Sequence, residues 1–316
     1  MNIRRIFPVF LIAVLILSCG KDSRLSAPIA PSVTPGITPE MNSWESRIPW
    51  SPYMVIHNDL GAFPGYRQAV TELMLHGALH GARVGLSEQE VMHQSPNEVN
   101  QWLISQGLEL MVNLDNYLLF HDNLEEIMDR VIALSPGVTI IQIGNEVTTI
   151  MPKTGPAMNI EQYMKAFHRI YDYVSVKYPN ITLVSQSTIS AGTYGANELE
   201  QMVHLGLTQM SPQRMIIGMN VYGGPTIFGN ASVLNSQLRN YRVWVTETGE
   251  TDPDQQVGHV INIYPVLRNQ LHAERIYWYA LWGGDGPPDS GFSLIKNPYT
   301  PPVWESPLYQ VLTGKR

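Results

Sequence analysis

The strongest constraint in this chain is a rhythm. Eight short apolar segments recur along it, and most of the gaps between them carry helical periodicity. The strand-like segments are residues 53–58, 82–87, 108–115, 138–145, 181–187, 214–222, 242–248 and 275–282. Helices are predicted over residues 65–79, 123–134, 160–177, 230–240, 257–271 and 304–312. Strands alternating with helices build a parallel sheet with helices packed on it, because a parallel crossover needs a long return path. Hydrophobic residues make up 44% of the 316, enough for one large core. No break in composition divides residues 46–316, so the pattern predicts an α/β fold, a single (β/α)8 (TIM) barrel. A doubly wound sheet is the alternative, but no G-x-G-x-x-G turn follows the first strand.

The N-terminus reads differently. Arg4 and Arg5 precede an apolar run, Ile6–Leu17, broken only by Pro8. That run is too short to span a bilayer, which takes about 20 residues, and has the form of a secretory signal. It closes on "ILSCG", which resembles the bacterial lipobox, with Cys19 as the residue to be acylated. Residues 1–18 are therefore expected to be a lipoprotein signal peptide. The Pro/Ser/Thr-rich residues 19–45 are expected to be a tether. Cys19 is the chain's single cysteine, so no intrachain disulfide can form. The expected location is the cell envelope, at the outer membrane or periplasmic face, held to the membrane by the lipid alone.

Charge narrows the partners. A net charge of −7, with no Lys/Arg run beyond the first residues, disfavours a phosphate-tracking groove, so no nucleic-acid partner is expected. The nine histidines show no H-E-x-x-H spacing, and neither a metal nor another cofactor is expected. The turn-rich loop "GGDGPPDSG" at 283–291 adds no second sign of a metal site. A monomer is expected.

In a parallel barrel the functional side chains sit where strands end and the following loops open. Reading the strand ends gives Arg83, Asn145, Glu146, Tyr222, Glu247 and Trp282. His57 and Asn58 end the first strand and are candidates to contact a ligand hydroxyl, as are Asn113, Asp115 and Asn220 more weakly. Glu146 and Glu247 fall on the fourth and seventh strands, so only a closed barrel brings them together. Alternation along the seventh strand puts Val243, Val245 and Glu247 on one face, while Glu250 lies beyond Gly249 in a loop. An Asn-Glu pair at a strand tip can also serve as a helix cap. Two glutamates on two strand tips favour chemistry. Arg83, set in an apolar strand, needs a carboxylate partner, for which Glu247 is the candidate.

This set resembles that of the clan A glycoside hydrolases, retaining enzymes on a (β/α)8 barrel. "QIGNEV" is similar to the segment of endo-β-1,4-galactanases and plant-type β-1,3-glucanases that carries their acid/base, and "VWVTETG" to the nucleophile strand of several such families. The resemblance implies Glu146 as acid/base, Glu247 as nucleophile and Asn145 as donor to a sugar 2-hydroxyl. It implies that Arg83 and Tyr222 hold the nucleophile. Val147 stands where many members have Pro, and Gly249-Glu250-Thr251 replaces the glucanase Gly-Trp-Pro. The galactanase strand-three motif has no counterpart in "LMVNLDNYLLF", so the resemblance stops at the clan. Trp282, nearer the rim, is the preferred sugar platform, with Trp278 deeper on the same strand. In such enzymes two carboxyl groups about 5–5.5 Å apart form and hydrolyse a covalent glycosyl-enzyme. The expected activity is retaining hydrolysis of a β-linked glycan, an O-glycosyl hydrolase reaction. A non-hydrolytic carbohydrate-binding lipoprotein, or a cell-wall transglycosylase on the same barrel, are the alternatives.

Overall fold

The computed structural model describes residues 44–57, 63–95, 97–149, 157–188, 193–222, 229–284, 289–299 and 302–316. The expected signal segment, Cys19, the expected tether before residue 44, Asn58 and part of the 283–291 loop lie outside the described residues. The described residues belong to one compact unit, Glu40–Arg316.

Eight parallel strands close into a barrel in chain order. They are β1 (Tyr53–Val55), β2 (Gly81–Leu86), β3 (Glu109–Leu114), β4 (Ile140–Gln142), β5 (Thr182–Val184), β6 (Met215–Asn220), β7 (Arg242–Thr248) and β8 (Ala273–Trp278). β8 pairs with β1 through Tyr53–Tyr277 and Met54–Trp278, which closes the ring. The barrel fold predicted from the rhythm of apolar runs is the one observed. The paired strands are shorter than several of the apolar runs. At β4 and β5 the extra residues belong to the strand-to-loop exits, which hold the site.

The helices α1 (Pro64–Leu75), α4 (Leu124–Leu134), α5 (Ile160–Lys177), α7 (Gly229–Ser236) and α8 (Gln256–Leu271) fall where the periodicity predicts them. Three others fall outside the predicted helices: α2 (Glu88–His93), α3 (Glu98–Ser105) and α6 (Thr193–His204). α2 and α3 are marked by their caps instead. Ser87 and Glu90 form a reciprocal capping box, and Asn97 accepts from the Asn100 amide. The closing helix predicted over 304–312 is shorter than expected. Trp304–Glu305 pairs with Ile295–Lys296 as a small antiparallel ribbon, and α9 (Pro307–Leu312) starts after its Ser306 cap.

Two apolar layers hold the barrel. The outward-facing residues of the strands pack under the helices: Ala82, Val84 and Leu86 of β2, for example, are buried in the same cluster as Leu73 of α1 and Leu103 of α3. Inside the barrel, Val55, Met111, Ile140, Val184, Ile216, Trp244 and Tyr277 form a separate cluster, one residue from each of seven strands. β2 is the exception. At the level of Val55 and Met111 its inward residue is Arg83. At the N-terminal end, Arg275 lies over the rings of Trp244 and Tyr53, at 4.1 and 4.7 Å, and pairs with Glu109. This cation, stacked on aromatics, caps the bottom of the barrel and leaves the open end at the C-terminal edge.

Candidate active site

The site is built where strands end around the buried guanidinium of Arg83. Its Nη1 donates to Glu247 Oε1 at 2.7 Å, and its Nε donates to Gln142 Oε1 at 2.6 Å. The hydroxyl of Tyr222 donates to the other Glu247 oxygen at 2.7 Å. Burial and the adjacent Glu247 charge raise the Tyr222 phenol well above its ordinary range, so it keeps its proton and acts as a donor. Both Glu247 oxygens therefore accept, one from a cation and one from a phenol, which is the hydrogen bonding of a carboxylate anion.

Strand alternation alone does not bring Glu247 here. Val243 and Val245 pack in the outer layer and Trp244 in the interior. The register of β7 then shifts, on one side between Met219 and Asn220 of β6 and on the other between Val245 and Thr248. Through this bulge Thr246 and Glu247, consecutive residues, both reach inward partners, which corrects the expectation that Glu247 shares a face with Val243 and Val245. Glu250 lies past the strand and turns back on its own loop, accepting from the Asp252 amide.

Glu146 is delivered differently. β4 ends at Gln142, and Gly144 adopts a left-handed φ of 76°. A Cβ there would come within 2.7 Å of Val147 Cγ1 and 3.0 Å of Leu119 Cδ1, so the position requires glycine. Glu146 is itself left-handed, with φ 47°. Its amide donates to the Ser187 carbonyl at 3.0 Å and its carbonyl accepts from the Thr149 amide at 2.9 Å. Asn116 clamps the preceding residue on both sides, its Oδ1 accepting from the Asn145 amide and its Nδ2 donating to the Asn145 carbonyl. A non-glycine residue in this region costs on the order of 1 kcal/mol, which these bonds offset.

The Glu146 carboxyl is buried, and Oε1 accepts from Asn220 Nδ2 at 2.8 Å. Burial and the neighbouring Glu247 charge raise its pKa to about 7, against the opposing pull of the Asn220 bond and Arg83. Glu198 of α6, held by the Thr148 hydroxyl, adds to the upward push. One carboxyl thus sits bonded to a cation and a phenol, while its neighbour is poised to hold a proton near neutrality.

The remaining candidates separate by placement. Asn145 Oδ1 accepts from Asn220 Nδ2 at 3.2 Å, beside Glu146. Trp282 is partly buried just past β8, edge-on to Tyr299, and its indole N–H has no partner among the described residues. Trp278 is fully buried against Trp50 and His259, with its Nε1 donating to the Phe292 carbonyl at 3.1 Å. It has no face to offer a sugar, so its place as a binding residue is corrected to one of packing. His57 stands at the mouth with its ring edge toward Tyr279. Residues that sequence reasoning passed over are Gln142, Ser187, Thr246, Asn116 and Glu198. A glutamine inside the apolar β4 run and "SQS" after β5 are the signals that point to the first two, since a buried polar side chain needs a partner.

No family model matches this sequence, and no curated protein matches it. Solved structures do match. The GH39 enzyme from Xanthomonas axonopodis pv. citri superposes with a TM-score of 0.61 at 9% identity, covering 84% of this chain and 65% of that one. An exo-β-1,3-glucanase from Aureobasidium namibiae gives 0.55 at 10% identity, covering 78% and 90%. The β-mannanase from Thermomonospora fusca gives 0.51 at 16% identity, covering 81% and 86%. Those likenesses establish the barrel fold. The chain spans about two thirds of the GH39 enzyme's length and most of the other two.

Proposed function

We propose that this protein is a retaining glycoside hydrolase that cleaves a β-linked glycan by double displacement. The observation that carries the reading is the opposite treatment of two carboxyl groups at one barrel mouth. Glu247, held by Arg83 and Tyr222, attacks the anomeric carbon as the nucleophile. Glu146, with its raised pKa, protonates the leaving oxygen and then takes a proton from water. Asn145, which shares the Asn220 amide with Glu146, donates to the sugar 2-hydroxyl in this reading. The likeness in fold to a mannanase and an exo-β-1,3-glucanase supports the same reading.

The test is hydrolysis by the purified chain, beside Glu247→Ala and Glu146→Gln, of β-1,3-, β-1,4- and mixed-linkage glucans, galactan and mannan. Reducing ends released by the parent and by neither variant, with the β-anomer of the product appearing first by NMR, support the proposal. Inversion, or equal activity in Glu247→Ala, overturns it.

We also propose that Cys19 carries a lipid that tethers the barrel at the cell envelope, because the chain's single cysteine ends a short apolar run preceded by two arginines. Palmitate labelling and membrane fractionation of the parent, lost in Cys19→Ser, support the anchor. Equal labelling of both proteins rejects it.

A further inference from the structure

A continuous chain of hydrogen bonds runs through the barrel interior from Arg83 to Glu146, and its direction can be worked out. Arg83 donates Nε to Gln142 Oε1 at 2.6 Å. Gln142 Nε2 donates to Ser187 Oγ at 2.8 Å and to the Gly144 carbonyl at 3.1 Å. Ser187 Oγ bonds Thr246 Oγ1, Thr246 Oγ1 reaches Asn220 Oδ1 at 2.8 Å, and Asn220 Nδ2 reaches Glu146 Oε1 at 2.8 Å. Gln142, Ser187, Asn220 and Thr246 are all buried.

The groups at the cation end set the polarity of the chain. A guanidinium only donates and a backbone carbonyl only accepts, so the Gln142 amide has one orientation. Its N–H then occupies the Ser187 oxygen, and the Ser187 hydrogen turns to Thr246. If Thr246 donated back to Ser187, the Asn220 carbonyl would lose its donor and the Ser187 hydrogen would have no acceptor in the chain. Thr246 therefore donates onward, and Asn220 Oδ1 at 2.8 Å is nearer than its other acceptor, the Met219 carbonyl at 3.0 Å. Every donor points away from the cation and toward Glu146. Arg83 thus addresses both carboxyl groups, Glu247 directly and Glu146 through four intervening side chains.

We propose that Gln142, Ser187 and Thr246 are positioning residues that hold the Asn220 amide toward Glu146, fixing Oε1 as an acceptor and leaving Oε2 as the oxygen that carries the transferable proton. A carboxylic acid has one hydroxyl and one carbonyl oxygen. With Oε1 bound to an N–H, the proton resides on Oε2. The same bond persists when Glu146 ionises, so the chain needs no rearrangement between the acid and base roles. This rests on the glycosidase reading for its consequence in catalysis but not for its geometry.

The other titratable or charged groups facing Glu146 are Glu247 from β7, Arg83 from β2, Glu198 from α6 and the neutral Tyr222 phenol after β6. Thr246→Val and Ser187→Ala leave all four in place and break the relay; Thr246→Val also removes the bond to the Met219 carbonyl, which Ser187→Ala keeps. The deciding measurement is the 13C carboxyl titration of Glu146 in the full-length chain, assigned by its loss in Glu146→Gln. The Asn220 bond favours the ionised form, so both relay variants should raise the midpoint by about half to one pH unit, a 3- to 10-fold change in proton affinity. Thr246→Ser, which keeps the hydroxyl, should restore it. On a hydrolysed glycan, kcat should fall at least about tenfold in the Val and Ala variants with KM unchanged. A Glu146 midpoint equal to that of the parent in folded Thr246→Val and Ser187→Ala overturns the relay. A parent inactive on every glycan counts against the proposed function instead, while the titration still decides the relay.

Discussion

Arg83 and Glu247 form a buried ion pair across the barrel mouth, Nη1 to Oε1 at 2.7 Å, in the layer where every other strand places an apolar residue. Such a pair is worth little against a hydrophobic replacement of both partners, but removing one partner strands a buried charge. Arg83→Met is expected to cost about 3–5 kcal/mol at pH 7 in urea unfolding. Arg83→Lys keeps the charge but cannot donate to Gln142 and Glu247 from two ends of one plane, so it should fold and lose about 100-fold in kcat. Full activity in the lysine variant would show that charge alone matters.

Glu146 gives a prediction of stability against pH. Its carboxyl titrates at about 7 when folded and near 4.5 when unfolded. A raised folded pKa means that its contribution is fully present below pH 4.5 and is lost as pH rises through about 7. Glu146→Gln should therefore match the parent near pH 4 and exceed it at pH 8, by at most about 3 kcal/mol. Denaturant midpoints across that range measure this, and a difference independent of pH contradicts it. On the proposed mechanism the same protonation should set the alkaline limb of activity, with the rate falling as pH rises past about 7.

His259 has the opposite sign. It is buried beneath β7, with its Nε2 at 3.0 Å from Thr248 Oγ1, and burial lowers its pKa from 6.5 to about 4. The neutral ring belongs to the folded state. Its contribution is fully present above pH 6.5 and is lost as pH falls toward 4, by about 3 kcal/mol at most. His259→Gln should flatten this part of the profile. An unchanged slope between pH 6.5 and 4 would assign the acid sensitivity elsewhere.

Two glycines near the site should respond in opposite ways. Gly144 is left-handed and tightly enclosed, so Gly144→Ala should destabilise the protein by more than 1 kcal/mol and displace Glu146. Gly85 faces the barrel mouth from β2, next to Asn113 of β3, and a Cβ there would meet nothing within 4 Å. Gly85→Ala should leave stability unchanged or slightly improved. Gly85→Leu should raise KM for long oligosaccharides while the thermal midpoint holds. Unaltered KM in Gly85→Leu would place the bound glycan away from β1–β3.

The sequence by itself determined the barrel, since alternating apolar strands and amphipathic helices have few ways to bury both faces of a parallel sheet. It also singled out Arg83, Asn145, Glu146, Tyr222 and Glu247, because polar groups at the tips of buried strands need partners. The expectation that a carboxylate would meet Arg83 was legible for the same reason. What the sequence could not express is the side on which each residue falls once the register slips. The β7 bulge turns Thr246 and Glu247 inward together, against the alternation of Val243 and Val245. Trp278 and Trp282 are chemically alike and four residues apart, and only packing against Trp50 and His259 makes the first a core residue. Gln142, Ser187 and Thr246 carry no motif. They become a relay because β4, β5, β6 and β7 close around one cation, and hydrogen-bond direction exists only after the strands have met.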